Sequence, residues 1–342
     1  MENIGLDLHK RESQLCGISE EGRIWERSLL TSRERFAEVL GGRRPARILV
    51  ESSTESEWVA RHLEGLGHEV IVADPSFAPM YASRSRRVKT NRRDARTLAE
   101  ACRLGAYRRA HRVSDARRQL RAELTVRQAL VRTRTRYVSV LRTLIRQEGL
   151  RLPSGAVEHV LPRLAALALP PHLAAELAPL VPLLEALNGS IAAADERLAG
   201  YAATDLTIAR LTTAPGIGPV TATAFVAVLD DITRFERAHH LEAFLGLTPS
   251  EASSADKRQR GRISKAGHPG LRALLVEAAW RLLRSKQTEA QALRHWAEQI
   301  ATRRGRSIAA VALARRLAGI LYAMWRDGTR YRGHGASQPA AA

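Results

Sequence analysis

Three acidic residues in the first hundred positions are placed where they could hold a metal ion. Asp7 and Glu51 each end a short apolar run, and Asp94 lies in a strongly basic stretch. Carboxylates at the ends of neighbouring strands, joined by another from a helix, suit a hard cation such as Mg²⁺ working on phosphate. The pattern predicts cleavage of a nucleic acid.

A Ser253-Ser254 pair lies far downstream in a second basic segment. A serine hydroxyl is a poor nucleophile at neutral pH, so it needs a metal or base to remove its proton and positive charge to steady the phosphate. Serines of this kind are also ordinary loop residues, and the residues alone leave both readings open. The candidate phosphate contacts around the pair are Lys257, Arg258, Lys265 and Arg272.

The charge balance favours a polyanionic partner. Lys and Arg number 54 against 35 Asp and Glu, a formal charge of +19, which suits nucleic acid but also fits a solvated basic surface. Two cysteines are too few for a disulfide framework and favour a reducing cytoplasm. No apolar run comes near the roughly 20 residues that span a bilayer, so no membrane partner is expected.

The first 75 residues have the alternation typical of an α/β fold. The predicted order is three strands, a helix, a strand, a helix and a strand. An antiparallel meander followed by βαβ crossovers is the order of an RNase H-like fold. The strands are predicted at 4–8, 14–19, 23–29, 47–51 and 69–73, and the helices near 32–40 and 56–66.

The basic stretch from Arg84 to Arg96 carries Asn91 and Asp94 three residues apart. If this stretch is helical, both side chains share one face and can deliver ligands to a metal. Asp94 could instead pair with neighbouring arginines on a solvated helix. The candidate nucleic-acid contacts here are Arg86, Arg87, Lys89, Arg92 and Arg93.

A long helix is predicted from Ser114 to about Glu148, where neither Pro nor Gly occurs. Apolar residues recur every seven positions, as in a coiled coil, while Arg127 and Arg134 interrupt the other seam. A second helix, Pro182 to Ala202, could fold back on it. An ordinary helical bundle with no partner role explains the same pattern.

The segment Thr213 to Val220 contains Gly216 and Gly218 between two helical patterns. It resembles the turn of a helix-hairpin-helix element, whose backbone N–H groups approach phosphate. A plain Gly-Pro turn accounts for the same letters. Amphipathic helices follow at 270–284 and 307–325, and the tail at 331–342 is expected to be disordered.

Several motifs stand in a characteristic order, and together they resemble the insertion sequence 110 family of DEDD transposases, which are bridge-RNA-guided recombinases. The resemblance runs from Ile4 to about Trp325. Its motifs are Gly5-Leu6-Asp7, Val50-Glu51-Ser52-Ser53, the stretch 89–95, Pro215-Gly216-Ile217-Gly218, and Gly246-Leu247-Thr248-Pro249 leading through Ser253-Ser254 to the segment 261–267.

The resemblance implies a fold and a set of site residues. It implies a RuvC-like catalytic domain at 1–110, a coiled-coil arm at 111–205 and a mostly helical transposase domain at 206–330. The metal ligands for Mg²⁺ fall on Asp7, Glu51, Asn91 and Asp94, and the nucleophile falls on Ser254. Asn91 stands where the family pattern has Asp; its carbonyl oxygen can still ligate Mg²⁺, with one negative charge fewer.

The function expected on this basis is a Mg²⁺-dependent transposase-recombinase that cuts and exchanges DNA strands through a 5′-phosphoserine, guided by a structured noncoding RNA. Homodimers or homotetramers and a cytoplasmic, nucleoid-associated location are expected. Two alternatives stay open: a RuvC-like nuclease that hydrolyses DNA with water, and a catalytically silent nucleic-acid-binding remnant that decayed at Asn91.

Overall fold

The computed structural model describes residues 1–82, 90–254 and 257–333, with the backbone alone described at 252–254 and 257–260. The chain divides into two compact units, Met1–Val113 and Ser114–Ala342. Arg86, Arg87 and Lys89, expected to contact nucleic acid, lie outside the described residues. So do positions 334–342 of the tail expected to be disordered.

Within the described residues, the first unit is built on a five-stranded mixed sheet of order β3-β2-β1-β4-β5. Strand β1 pairs antiparallel with β2 and parallel with β4, while β2–β3 is antiparallel and β4–β5 parallel. The predicted meander and crossovers are confirmed. The strands are β1 Asn3–Asp7, β2 Glu12–Ile18, β3 Ile24–Leu30, β4 Arg47–Glu51 and β5 Glu69–Ala73.

Helices cover both faces of this sheet. On one face, α1 (Arg33–Leu40) and α2 (Ser56–Gly65) share a core with Ile48 and Val50 of β4. On the other face, α3 (Asn91–Leu104) packs with Leu49 from the same strand. Successive strand residues point to opposite faces, so a strand buried on both sides reads as a continuous apolar run.

The second unit is mostly helical. Its sheet elements in the described residues are β6 (Pro249–Ser254) and β7 (Lys257–Ile263), which pair antiparallel. Its helices are α4 Asp115–Gln147, α5 Val160–Ala165, α6 Pro171–Leu177, α7 Leu180–Thr204, α8 Leu206–Leu211, α9 Pro219–Leu229, α10 Ala238–Phe244, α11 Pro269–Arg284, α12 Gln291–Arg304 and α13 Arg306–Arg326.

Helix α7 folds back antiparallel along α4, as expected. Arg127 Nε donates to Asp195 Oδ1 at 2.6 Å, and Arg134 Nη1 donates to Asn188 Oδ1 at 3.0 Å. Both arginines occupy the seam that they were expected to interrupt, seven residues apart on α4, and their partners are seven apart on α7. Polar pairs thus hold the heptad register, while Val138, Leu141 and Ile145 are buried further along α4.

Helix α13 runs through the main core of this unit. By length and composition it could cross a membrane, and so could the bent pair of α6 and α7 taken together, which differs from the expectation that no apolar run comes close. Within the described residues, its apolar face is covered mainly by α10, α11 and α12. A buried core helix has the same composition. The fully buried residues of α13 are Ala309, Ala310, Leu313, Ala314, Leu317, Ala318 and Leu321.

Candidate active site

Asp7 and Glu51 end two neighbouring strands. Strands β1 and β4 are parallel, and the residues just before the carboxylates, Leu6 and Val50, face each other in the register. The carboxyl ends of parallel strands meet at one edge of a sheet, which is where α/β folds place ligands. The first two predicted acids therefore lie side by side.

Asp94 reaches this edge from α3. The helix begins at Asn91, and Thr90 caps it by accepting a hydrogen bond from the Arg93 N–H at 3.3 Å. Asn91 and Asp94 therefore both lie in its first turn, as the helical interpretation of the basic stretch predicts.

A glycine in β1 sets the distance between this helix and the sheet. A Cβ on Gly5 would lie 2.1 Å from the Ala95 carbonyl oxygen and 2.3 Å from the Ala99 nitrogen. Helix α3 thus lies against the bare backbone of the strand that ends in Asp7. This close packing brings the residue next to Ala95, Asp94, towards the strand ends.

The three carboxylates affect one another electrostatically. Burial raises the pKa of Asp7 above its ordinary value, the nearby His9 ring opposes this, and the negative charges of Asp94 and Glu51 raise it further. His9 Nε2 lies 3.1 Å from Asp7 Oδ2. A partly buried cluster of like charges is the electrostatic condition that a bound cation relieves.

Two residues at this edge escaped the sequence analysis. His9 lies two residues after Asp7, and Tyr81 donates its hydroxyl proton to Glu51 Oε1 at 2.7 Å. The His9 spacing was visible in the sequence as Asp-Leu-His. Nothing local marked Tyr81, which lies 30 residues from Glu51.

The donor set fits a hard divalent cation in type, because carboxylate and amide oxygens are the ligands that such ions take. In the part of the chain that the structure describes, no three side chains of His, Cys, Asp or Glu lie close enough together to bind one metal ion as they stand. The carboxylates are therefore neighbours on one edge rather than a closed ligand shell. Side-chain rotation would have to complete a metal site.

Of the basic residues expected to contact nucleic acid, Arg92 and Arg93 lie in the first turn of α3. Arg92 Nε forms an ion pair with Glu26 of β3. The Arg92 head group stays largely exposed, so this pair is weakly held.

Ser254 is the last residue of β6, on a hairpin where a flexible loop was the alternative. In the register Ser253 pairs with Arg258 and Ser254 with Lys257. The strand pairing therefore places two basic residues, both candidates for phosphate binding, opposite the two serines. The side chains of these four residues lie outside what the structure describes.

The base of this hairpin is held by direct backbone contact. A Cβ on Gly246 would lie 2.1 Å from the Ala266 carbonyl oxygen, and one on Gly267 would lie 1.7 Å from the Phe244 carbonyl oxygen. Both glycines have positive φ, +68° and +79°. The segments entering β6 and leaving β7 thus touch through bare backbone, which only glycine allows.

Arg272 braces the same base. Its Nη1 donates to the carbonyl oxygens of Leu245 at 3.0 Å and of Ala266 at 3.1 Å. Arg272 was expected to contact phosphate; in the structure its guanidinium instead binds two backbone carbonyls and positions the hairpin. Lys265, another candidate cation, is exposed and has φ +56°, in the left-handed region.

The Gly216 turn packs against α11. A Cβ on Gly216 would lie 2.8 Å from Leu282 Cγ, and Gly218 is the N-cap of α9. Close packing is thus one reason for glycine at 216. An open groove of about 810 Å³ lies beside the turn, and Arg281 and Arg284 line it.

Comparison with known proteins places both units in one class. Residues 4–148 match a family model for DEDD transposases, described as "Transposase", and residues 208–295 match the model described as "Transposase IS116/IS110/IS902 family". The chain is 30% identical over 341 residues to the transposase for insertion sequence element IS1111A of Coxiella burnetii, covering 96% of this chain and 91% of that one.

Further relatives agree over almost the full length. A probable family 20 transposase of Pseudomonas aeruginosa is 29% identical over 338 residues, 97% of this chain and 99% of that one. The transposase for insertion sequence element IS1328 of Yersinia enterocolitica is 29% identical over 333 residues, 95% of this chain and 97% of that one.

Proposed function

This chain belongs to the IS110/IS116/IS902 family of transposases, and we propose that it cuts and rejoins DNA through a covalent serine intermediate. Its first unit is an RNase H-like DEDD domain, which implies a divalent metal, and its substrate is DNA. The observation that carries the proposal is the meeting of Asp7 and Glu51 at one sheet edge, with Asp94 close enough to raise the pKa of Asp7.

In the proposed reaction Ser254 is the nucleophile. Its Oγ bonds to the scissile phosphorus while the bond from phosphorus to the 3′ oxygen breaks. The serine proton passes to a base, and the departing 3′ oxygen takes up a proton. The resulting 5′-phosphoserine keeps one phosphodiester linkage, so a second 3′-hydroxyl can reverse the step and join a different strand.

Asp7, Glu51, Asn91 and Asp94 would hold the metal, which we propose to be Mg²⁺. When bound, this ion supplies positive charge to the phosphate as negative charge develops on it. The hairpin's contribution is position: Gly246, Gly267 and Arg272 fix the base from which β6 runs to Ser254. Lys257, Arg258 and Lys265 would contact phosphate oxygens.

Further parts of the proposal rest on the family resemblance. We propose a structured noncoding RNA as the guide that selects donor and target, and a dimer or tetramer as the active form. The formal charge of +19 suits two nucleic-acid partners at once. We further assign 111–205 to a helical arm and 206–330 to the transposase domain.

The test is a search for a protein–DNA adduct that survives SDS. Purified protein is incubated with Mg²⁺, the RNA transcribed from the flanking DNA, and end-labelled donor and target. An adduct is expected with the wild type and with Ser253→Ala, and none with Ser254→Ala or without Mg²⁺. Cleavage without an adduct would replace the proposal with a hydrolytic nuclease, and binding with neither would identify a silent remnant.

A further inference from the structure

Helix α4 ends in a tightly defined reversal of the chain. Gly149 has φ +70°, its N–H donates to the Arg146 carbonyl at 3.0 Å, and the Leu150 N–H donates to the Ile145 carbonyl at 3.1 Å. This is a Schellman motif, completed by Leu150 packing in the cluster that buries Ile145. The turn brings the residues after Gly149 back alongside the last turns of α4.

The loop that follows is held in place by Arg163 of α5. Its Nε donates to the His159 carbonyl at 2.9 Å, and its Nη1 donates to the Pro153 carbonyl at 2.5 Å. A further bond from Nη2 reaches the Ala156 carbonyl. The loop is therefore shaped before any ligand binds.

Between this loop and the helix lies an open groove of about 820 Å³, here called the tip groove. It is lined by Arg142, Arg146, Gly149, Leu150, Arg151, Leu152, Ser154 and Gly155.

The guanidinium groups of the three arginines of the tip groove form no ion pair or hydrogen bond with any residue that the structure describes. Other arginines of the chain are neutralised: Arg112 pairs with Glu57 and Glu64. No acidic side chain lines the groove, and Glu148, next to it in sequence, pairs with His172 at 3.2 Å. Three uncompensated guanidinium groups around one concave surface create a positive potential that attracts an anionic ligand.

We propose that the tip groove binds the phosphate backbone of the duplex DNA on which the transposase acts. Arg142 and Arg146 lie four residues apart on α4, about 6 Å along its axis, so each can contact a different phosphate. Guanidinium groups bind phosphate oxygens in a bidentate manner. Leu150 and Leu152 add apolar surface that strengthens these contacts by excluding water.

The inference deepens the transposase function but does not depend on the serine chemistry. The test compares full-length Arg142→Gln/Arg146→Gln/Arg151→Gln with a control, Arg136→Gln/Arg197→Gln/Arg304→Gln. The control removes the same charge from exposed arginines outside the groove whose guanidinium groups form no ion pair or hydrogen bond in the described part of the chain. Binding to a labelled element-end duplex and to an RNA hairpin is followed by fluorescence anisotropy over a salt series.

The groove variant should bind the duplex about tenfold more weakly at low salt, and the slope of log K against log salt should fall by about one per arginine. The control should stay within about twofold of wild type. Equal weakening in both variants, or weakening confined to the RNA, would overturn the proposal.

Two further variants of the chain separate the possible causes of weaker binding. Ser254→Ala should bind the duplex like wild type, which separates the groove from the catalytic proposal. Arg151→Glu, a single change at an exposed position, should weaken duplex binding without loss of thermal stability. Unchanged binding by Arg151→Glu would also count against the proposal.

Discussion

Gly5 of β1 lies directly beneath Ala95 of α3, so close that a Cβ on Gly5 would come within 2.1 Å of the Ala95 carbonyl oxygen. Because that atom belongs to the backbone, it cannot rotate away as a side chain could. The spacing of helix and strand, and with it the approach of Asp94 to Asp7, depends on this single missing methyl group.

Gly5→Ala is therefore predicted to displace α3. Overpacking of this kind costs about 1–3 kcal/mol of stability, and a shift of about 1 Å in a catalytic group lowers activity roughly a hundredfold. Thermal unfolding and strand-cleavage rates measure the two effects. Gly65→Ala, at an exposed site in α2 with no atom within 4 Å of the new Cβ, should lower neither stability nor cleavage rate. Equal losses at the two sites would refute the explanation.

Asn91→Asp is predicted to strengthen divalent metal binding about tenfold, because it restores a negative charge to a site for a hard cation. It also places an acid in the first turn of α3, which stabilises the helix without metal. The informative quantity is thus the difference in melting temperature with and without Mg²⁺, followed by a metal titration of cleavage. A rise from no activity to full activity would instead identify the natural chain as a decayed remnant.

His268 is predicted to make the second unit less stable in mild acid. Its Nδ1 caps α11 by accepting the Leu271 N–H at 3.1 Å. Partial burial, and then the positive charges of Arg121 and Arg272, lower the pKa of His268 below its ordinary 6.5. The unfolded chain therefore takes up this proton first, and stability falls as the pH drops from 6.5 towards the folded-state pKa.

The measurement is thermal unfolding at about pH 7.5 and about pH 5.5, for wild type and His268→Asn. Asparagine also caps helices but does not titrate, so the variant should lose less stability on acidification than the wild type does. Other histidines contribute equally to both proteins and cancel. Identical losses would show that His268 does not titrate in this range.

Truncating Arg134 is predicted to destabilise the protein more than replacing Arg134 and Asn188 together with apolar residues of similar size. The side chain is 8% exposed, pairs with Asn188 and Glu158, and has an Nε with no partner in the described part of the chain. Arg134→Ala should destabilise the contact between α4 and α7 by about 2–4 kcal/mol. Arg134→Leu combined with Asn188→Leu should stay within about 1 kcal/mol of wild type.

Hydrogen exchange of the α7 amides measures this effect locally. Faster exchange in Arg134→Ala than in the double variant is expected. The same acceleration in both would show that the hydrogen bond from Arg134 to Asn188 itself holds the helices together.

The parts of the fold that local sequence determines were predictable. Apolar runs ending in Asp7 and Glu51 gave the strands β1 and β4, and the capping residue Thr90 fits a helix over Asn91 and Asp94. The assignment of these acidic residues as metal ligands stays a prediction. The strand order supports it only by placing Asp7 and Glu51 next to each other.

Other parts depend on contacts between distant segments, which periodicity does not record. The bond from Tyr81 to Glu51, the brace from Arg272 and the backbone contacts at Gly246 and Gly267 belong to this group. The β6–β7 hairpin was hidden for a different reason. Both strands are short and polar, and β7 is strongly basic, so they lack the apolar alternation by which a half-buried strand is recognised.

The central claim is tested most directly by locating the covalent bond. The adduct trapped on DNA is digested with nuclease and trypsin, and the peptide from Ala238 to Lys257 is fragmented in a mass spectrometer. The account predicts a phosphonucleotide on Ser254, with Ser250 and Ser253 unmodified. A modification at another residue, or DNA cut by the same preparation with this peptide wholly unmodified, would contradict it.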